Sequence, residues 1–330
     1  MTEVVPGIHW LKLPITMAGS NLAHVNVYLV RGDDGYLLVD AGWNTPASFD
    51  ILQKGLKEIG GDIREISRIL VTHVHPDHYG MAGRVKELSG ADFYLHEYEK
   101  RLIGPRYVTM DELLVQTEHW LGINGVPPEP TADLRDATKD LIKYIVPSYP
   151  DTTLRGGETI TTGPFTFRVL WTPGHSQGHI CLYEAAKKLL LSGDHVLPTI
   201  TPNIGMHPQS IENPLGKYFD SLKAVKKLDV GLVLPGHEEP FHGLAPRIEE
   251  IRQHHEHRNR EILKAVAAAP KTAYQVALDV TWGFRGGWRD LHNFHKRMAI
   301  FETLAHLELM VANRDVEKAA RDGMIYYRQT

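Results

Sequence analysis

The chain has 330 residues, of which 42% are hydrophobic and 23% are charged, and its formal net charge is −4. This composition is typical of a folded globular protein with room for one large domain and a small one, and it excludes a disordered acidic chain. The small negative charge gives no electrostatic support for a polyanionic partner.

Two further features bear on the cell compartment. The single cysteine, Cys181, excludes an intrachain disulfide and fits a reducing cytosol, and its apolar neighbours predict a buried core thiol. No apolar stretch approaches the ~20 residues of a membrane span, and the first ten residues do not have the pattern of a secretory signal. We therefore predict a cytoplasmic protein without membrane contact.

Strand and helix patterns alternate over the first hundred residues. Apolar runs at 26–30 and 36–40 flank a Gly-Asp-Asp-Gly turn and predict a β-hairpin. Apolar side chains at helical spacing predict a helix over 46–60. The next predicted elements are a strand, a helix and a strand, at 69–71, 80–88 and 92–95. This alternation predicts an α/β protein.

Residues 99–150 interrupt the alternation with helical stretches and a proline-rich breaker. We interpret them as an inserted helical segment, which is either a lid over the site or an ordinary structural insertion. Strands are predicted again beyond the insert, at 165–171, 180–183, 188–191 and 230–234. Residues 1–245 would form the catalytic domain.

The last part of the chain, 246–330, is predicted to be a small helical domain. Its three helices are predicted at 247–268, 273–279 and 291–312. Asp322-Gly323 then signals a tight hairpin turn. Three helices before a hairpin form a winged-helix-like pattern. Because the charges are mixed in sign, packing is favoured over nucleic-acid binding, and a homodimer is left open.

Four metal-capable side chains fall within six residues in His73-Val74-His75-Pro76-Asp77-His78. Imidazole nitrogen and carboxylate oxygen suit zinc and its neighbours. Three more candidates each follow an apolar strand and a glycine, namely His175, Asp194 and His237. Loops at strand ends can hold ligands rigidly while leaving a metal accessible. Seven ligands are too many for one tetrahedral ion and suit two.

These motifs resemble those of the metallo-β-lactamase-fold superfamily. The similarity runs, in the family's order, through 37–42, 72–78, 172–175, 192–194 and 235–237, and spans residues ~20–240. A winged-helix-like extension is also found on some members, and 301–309 is the stretch that resembles it. The resemblance implies an αβ/βα sandwich with a dinuclear site at one edge.

The resemblance also implies a role for each ligand candidate. The first metal would be held by His73, His75 and His175; the second by Asp77, His78 and His237; and Asp194 would bridge them. Asp40 would steady the ligand loop from outside. No ligand position departs from the hydrolase pattern, which favours two Zn²⁺ over the iron-using branches and leaves iron or manganese open.

Two divalent ions can share a water molecule and lower its pKa toward 7. We expect the resulting bridging hydroxide to attack a small acyl substrate, namely a thioester, a lactone or a β-lactam, with Asp77 orienting it and transferring its proton. The alternative is a phosphodiesterase or endoribonuclease, which the acidic net charge and the short 194–237 connection disfavour. Iron-dependent sulfur or oxygen chemistry is a third hypothesis, and a non-enzymatic regulator is disfavoured by the complete ligand set.

Three residues near the motifs are candidates for substrate contact. Tyr79 directly follows the histidine cluster, while Asn203 and His207 lie in the loop after Asp194. Each can donate a hydrogen bond to a substrate.

Overall fold

The computed structural model describes residues 1–15, 22–283 and 287–330, and two facing β-sheets form its centre. Its strands are β1 (Thr2–Val5), β2 (Ile8–Pro14), β3 (His24–Arg31), β4 (Tyr36–Val39), β5 (Ile66–Leu70), β6 (Asp92–His96), β7 (Thr152–Leu154), β8 (Thr159–Thr162), β9 (Phe165–Trp171), β10 (Ile180–Glu184), β11 (Leu189–Gly193), β12 (Leu232–Pro235), β13 (Val316–Arg321) and β14 (Met324–Gln329). Its α-helices are α1 (Pro46–Glu58), α2 (Pro76–Tyr79), α3 (Ala82–Ser89), α4 (Glu97–Ile103), α5 (Met110–Ile123), α6 (Pro128–Asp136), α7 (Pro214–Val225), α8 (Leu244–Ala265), α9 (Ala273–Asp279) and α10 (Asn293–Asn313).

The two large sheets mix parallel and antiparallel pairing. In the first, β1 to β7 lie side by side in chain order, antiparallel as far as β4 and parallel from β4 to β7. The second has the order β12-β11-β10-β9-β8, in which only β11 and β12 are parallel. Parallel neighbours end at the same sheet edge, so the loops after β5 and β6 leave one edge of the first sheet, and those after β11 and β12 leave one edge of the second.

Side-chain alternation along the strands divides the core into layers. In β4, Leu37 and Val39 pack between the two sheets, whereas Leu38 packs against helices on the outside. In β11, Leu189 and Leu191 likewise lie between the sheets, and Leu190 faces the opposite way toward the helices. Helices therefore cover both outer faces, and the predicted αβ/βα sandwich is confirmed.

The C-terminal region and the insert share one hydrophobic core. Leu121 of α5 and Leu134 of α6 pack in the same buried cluster as Ile262, Ile300 and Leu304 of the C-terminal helices. A second face of α10 packs on the outer side of the β8–β12 sheet. The insert is thus attached to the helices that follow position 246.

Several predicted elements are present with nearly the expected bounds. The hairpin of β3 and β4 is confirmed, as are α9 and the β13–β14 hairpin, whose turn places Asp322 and Gly323 at positive φ. Helix α1 begins at Pro46 because the Thr45 hydroxyl accepts a hydrogen bond from Ser48 N. Strands β1, β2, β7 and β8 and helices α2 and α7 were not predicted from the sequence.

Within the described ranges, no helix is both long and apolar enough to cross a membrane. Cys181 is fully buried in β10, as predicted for a core thiol, and burial raises its pKa to about 12.

Gly83 of α3 fixes how closely the end of the insert approaches this helix. A Cβ at this position would lie 2.3 Å from the carbonyl oxygen of Val146. We expect Gly83→Ala to lower the free energy of unfolding by about 1–3 kcal/mol, because the backbone must move apart. Urea denaturation measures the change.

Gly122→Ala is the matched control, since Gly122 lies in α5 and a Cβ there would have nothing within 4 Å beyond its chain neighbours and the adjacent backbone of its own helix. Alanine there should leave stability unchanged or raise it by up to about 1 kcal/mol. Equal effects of the two substitutions would contradict the packing argument.

Candidate metal centre

Loops at the ends of four strands carry the candidate ligands. Residues 72–78 follow β5, and His175, Asp194 and His237 follow β9, β11 and β12. Within the first loop, Pro76 opens the single-turn helix α2 directly after His75, which places Asp77 and His78 in the turn. The two sheets thereby bring all seven predicted ligands to one edge.

The first ligand group contains three imidazoles. His73 Nε2 and His175 Nε2 lie 2.9 and 3.0 Å from His75 Nδ1. Nitrogens around a tetrahedral zinc ion are separated by roughly 3.3 Å, because Zn–N bonds are about 2.0–2.1 Å long. The three nitrogens therefore fit one shared cation.

The second group contains Asp77, His78 and His237. His78 Nε2 and His237 Nε2 are 3.3 Å apart, and Asp77 Oδ2 lies 3.3 Å from His237 Nε2 and 3.8 Å from His78 Nε2. These separations also suit ligands of one metal ion, with mixed nitrogen and oxygen donors.

Asp194 lies between the two groups. Its Oδ1 is 3.3 Å from His78 Nε2, and its Oδ2 is 3.6 Å from His175 Nε2 and 3.4 Å from His237 Nε2. Asp194 Oδ1 is buried and accepts no hydrogen bond from the described residues. A buried carboxylate oxygen without a donor is costly, and a bound cation would remove that cost. The donor set therefore fits two metal ions that share Asp194.

The imidazoles of the first group are held neutral. Burial lowers the pKa of His73, His75 and His175, and the neighbouring imidazoles lower those of His73 and His75 further. A neutral imidazole has a free lone pair, which coordination to a metal requires.

In the second group, the imidazole pKa values are raised instead of lowered. Burial opposes protonation of His78 and His237, but the carboxylates around them outweigh it, with Asp194 foremost, and raise the pKa of His237 to about 10. Burial likewise opposes ionisation of Asp194, yet His237 and His78 keep its pKa well below the usual range. Without metal, protons on these imidazoles balance the carboxylates.

The family model of the metallo-beta-lactamase superfamily matches residues 21–237, which contain all seven candidate ligands. The chain belongs to the metallo-beta-lactamase superfamily. It is similar to a probable metallo-hydrolase of Bacillus subtilis, YqjP, with 25% identity over 322 residues and 96% of each chain covered.

Two solved structures agree with the whole fold. A metallo-beta-lactamase family protein from Thermus thermophilus is 30% identical, with a TM-score of 0.84 over 99% of this chain and 100% of that chain. A beta-lactamase domain protein from Burkholderia ambifaria is also 30% identical, with a TM-score of 0.83 over 100% of this chain and 94% of that one. The chain is accordingly a metal-dependent hydrolase whose fold carries a divalent metal site.

Asp40 supports the first ligand loop of this superfamily site. Its Oδ1 accepts a 2.7 Å hydrogen bond from Thr72 N, and its Oδ2 lies 2.8 Å from His78 Nδ1. The second bond orients the ring so that Nε2 faces the centre. Carboxylate-to-imidazole contacts of this kind strengthen a histidine ligand.

Like Asp40, Glu99 is a buried carboxylate that supports the ligand loops, and it lies at the start of the insert. It is fully buried in α4 and accepts hydrogen bonds from Val74 N at 2.8 Å, Ser176 Oγ at 2.5 Å and Gly178 N at 2.6 Å. Val74 lies between two ligands of the first group and Ser176 follows the third. Glu99 therefore ties together the two loops that form this group. No local sequence signal distinguishes it from Glu97.

The C-terminal region reaches the centre through Asn203. The Asn203 carbonyl oxygen lies 2.9 Å from His175 Nδ1, which orients that ligand. The Asn203 side-chain nitrogen donates to Glu302 Oε2 of α10 at 2.8 Å. A chain of two contacts thus connects α10 to the first metal group.

The three predicted substrate contacts have different positions. Tyr79 is fully buried and its hydroxyl lies 2.6 Å from Ser148 O; the residue follows His78 on the helix and points into the core, so its position does not support the predicted substrate contact. The Asn203 side-chain nitrogen is directed to Glu302 and its Oδ1 is buried, and its substrate contact stays a prediction. His207 lines a hollow beside His175.

Replacement of Glu99 tests its effect on the metal site. Glu99→Gln presents an amide nitrogen to donors that now meet a carboxylate, so we expect zinc affinity to fall by about 10- to 100-fold. Competition with a chromophoric chelator measures it. Glu97→Gln, on the same helix but partly exposed, is the control and should leave affinity unchanged. An unaltered affinity in Glu99→Gln would contradict the role.

Glu302 gives a pH-dependent prediction. Burial raises its pKa to about 7, although Arg258 and the Asn203 amide oppose the shift. Between pH ~4.5 and ~7 the folded protein then binds more protons than the unfolded chain, so its stability falls as pH rises. This effect amounts to at most about 3 kcal/mol.

Glu302→Gln removes the titration and keeps a hydrogen-bond acceptor for Asn203. We expect the variant to gain stability over the native protein at pH 8 and little at pH 4.5, by urea denaturation in EDTA so that metal loss does not contribute. A difference that is independent of pH would contradict the assignment.

Proposed function

We propose that this protein is a dinuclear zinc hydrolase acting on small acyl substrates, that is, thioesters, lactones or β-lactams. The observation that carries the proposal is the position of Asp194, which lies 3.3–3.6 Å from ligand nitrogens of both groups. One carboxylate in contact with both groups favours two ions over one.

The residues that would hold the metals are those of the two groups. The first would use His73, His75 and His175, the second Asp77, His78 and His237, with Asp194 shared. When bound, two divalent ions activate water and polarise the substrate oxygen. Imidazole-rich donor sets support zinc.

Asp77 has the right position to handle a proton. Its side chain is 18% exposed, whereas those of His78 and His237 are at most 1% exposed. The carboxylate can therefore accept a hydrogen bond from a water molecule at the open side of the centre, orient it, and pass its proton to the leaving group.

The surroundings support a small substrate over a polynucleotide. The hollow beside the centre lies between the insert and the loop after β11, and side chains such as Arg106, His175 and His207 line it. The exposed charges of α8 occur as pairs of opposite sign, such as Arg252 with Glu249 and Glu256. Such a surface lacks the basic stripe that phosphate backbones require.

His75→Ala tests the proposal. We expect the variant to lose the metal of the first group and about a thousandfold or more in hydrolysis, since a metal contributes several kcal/mol to the barrier reduction. Metal analysis by mass spectrometry and a parallel screen of acyl-glutathione, acyl-coenzyme A, lactone and nitrocefin hydrolysis provide the measurements.

The control is His257→Ala, which alters an exposed histidine of α8 and should change neither metal content nor rate. Full turnover by His75→Ala with only trace metal would refute metal-dependent catalysis at this site. If the protein hydrolyses only bis-p-nitrophenyl phosphate, the proposed acyl substrate is wrong and the substrate is a phosphodiester. If the isolated protein contains iron, the proposed zinc is wrong.

A further inference from the structure

We infer that Arg106 and His207 form a binding site for an anionic group of the substrate, a carboxylate or a phosphate, next to the metal centre. The inference rests on the proposed acyl hydrolysis and narrows its substrates to molecules with a negative charge near the scissile bond. Nothing in the ligand motifs specifies this site.

Arg106 is a half-buried cation without a carboxylate partner in the described part of the chain. Its Nε donates to Gln209 Oε1 at 2.9 Å, a neutral acceptor, and among the described residues its guanidinium forms no ion pair. Arg106 lines the same hollow as His175, a ligand of the first group. A half-buried guanidinium without a counterion is unfavourable unless a ligand supplies the charge.

His207 presents a second donor to the same space. Its Nδ1 accepts a hydrogen bond from Gln209 N at 3.2 Å, and burial, with Arg106 and Arg297, lowers its pKa well below the usual range. The neutral ring therefore carries its proton on Nε2. That nitrogen lies 3.5 Å from Arg106 Nη2, which is also a donor. Two adjacent donors with no acceptor between them suit an anion.

A second guanidinium reinforces the positive potential. Arg297 of α10 is 8% exposed, and its donors reach the neutral acceptors Leu134 O, Arg135 O and Thr138 Oγ1. Arg297 also has no ion pair within the described residues. Burial, with Arg106 nearby, lowers its pKa to about 10, so it stays charged at neutral pH.

The position of Arg106 is fixed by its neighbour in the chain. Tyr107 is buried and its hydroxyl donates to Val74 O at 2.5 Å, within the first ligand loop. The turn that carries Arg106 is thereby held at the metal centre. His175 and Arg106 line the same hollow, so an acyl group at the metals and an anion at Arg106 can belong to one molecule. A guanidinium binds either carboxylate or phosphate through paired hydrogen bonds.

The test compares 4-nitrophenyl butyrate with mono-4-nitrophenyl glutarate, which differ by one terminal carboxylate, on the zinc-loaded protein. We expect Arg106→Gln to lower the ratio of kcat/KM for the glutarate ester to that for the butyrate ester by about 10- to 100-fold. Arg106→Lys should restore part of this ratio, since lysine keeps the positive charge but lacks the paired N–H donors of the guanidinium. An unchanged ratio would overturn the inference.

Arg101→Gln, on the exposed side of α4, is the control and should leave the ratio unchanged. If the native protein hydrolyses neither ester, acyl hydrolysis is refuted for this class and the anion site is judged by calorimetric titration. Glutarate and inorganic phosphate are then titrated into the zinc-loaded native and Arg106→Gln proteins. A Kd at least tenfold larger in the variant supports the site. The ion that binds the native protein more tightly shows whether the site prefers a carboxylate or a phosphate. Equal Kd values overturn it.

Discussion

Five imidazoles meet in a small buried volume at one edge of the sandwich, and Asp194 lies between them. Burial disfavours protonation of His73, His75 and His175, and the neighbouring imidazoles add to that effect for His73 and His75. The carboxylate of Asp194 can approach both groups only because two glycines leave space. Gly193 has φ +48°, and a Cβ at Gly236 would lie 2.4 Å from Asp194 Oδ1. The shared carboxylate therefore depends on the backbone at the ends of β11 and β12.

Support for the ligands comes from every part of the chain. Asp40 directly follows β4, Glu99 belongs to the insert and Glu302 to α10, and each carboxylate contacts a ligand loop directly or through one residue. His179, directly before β10, accepts a hydrogen bond from Asp194 N at 3.1 Å and thereby holds the shared ligand. Rigid positioning from outside is what keeps ligands within fractions of an ångström.

The sequence predicted what depends on short-range patterns. Alternation and turn residues identified the β3–β4 hairpin, and the spacing of His73, His75 and His78 identified the first loop. The short strands β1 and β7 have three or four residues, too few for alternation to be distinct. Side-chain direction was also beyond the sequence, since Tyr79 is adjacent to a ligand yet points into the core.

Contacts between residues far apart in the chain could not be predicted from the sequence. Glu99 and Glu302 act on loops that are distant along the chain, at separations of 25 to 99 residues, and composition gives no sign of such partners. That Arg106 has no carboxylate partner within the described ranges is likewise a property of the folded surroundings. Charge in the sequence is visible, whereas the presence or absence of a counterion is decided by tertiary structure.

Arg106 and Tyr107 are consecutive residues with different contacts. Tyr107 binds the insert to the first ligand loop through a hydrogen bond, and Arg106 faces the hollow. If the whole turn were exchanged between relatives, the Tyr107 contact that holds the insert would be lost together with the substrate selectivity of Arg106. Redesign of substrate preference in this scaffold is therefore better directed at single side chains, at 106 and 207, than at loop grafting. Both positions face the hollow beside the metals without serving as ligands themselves.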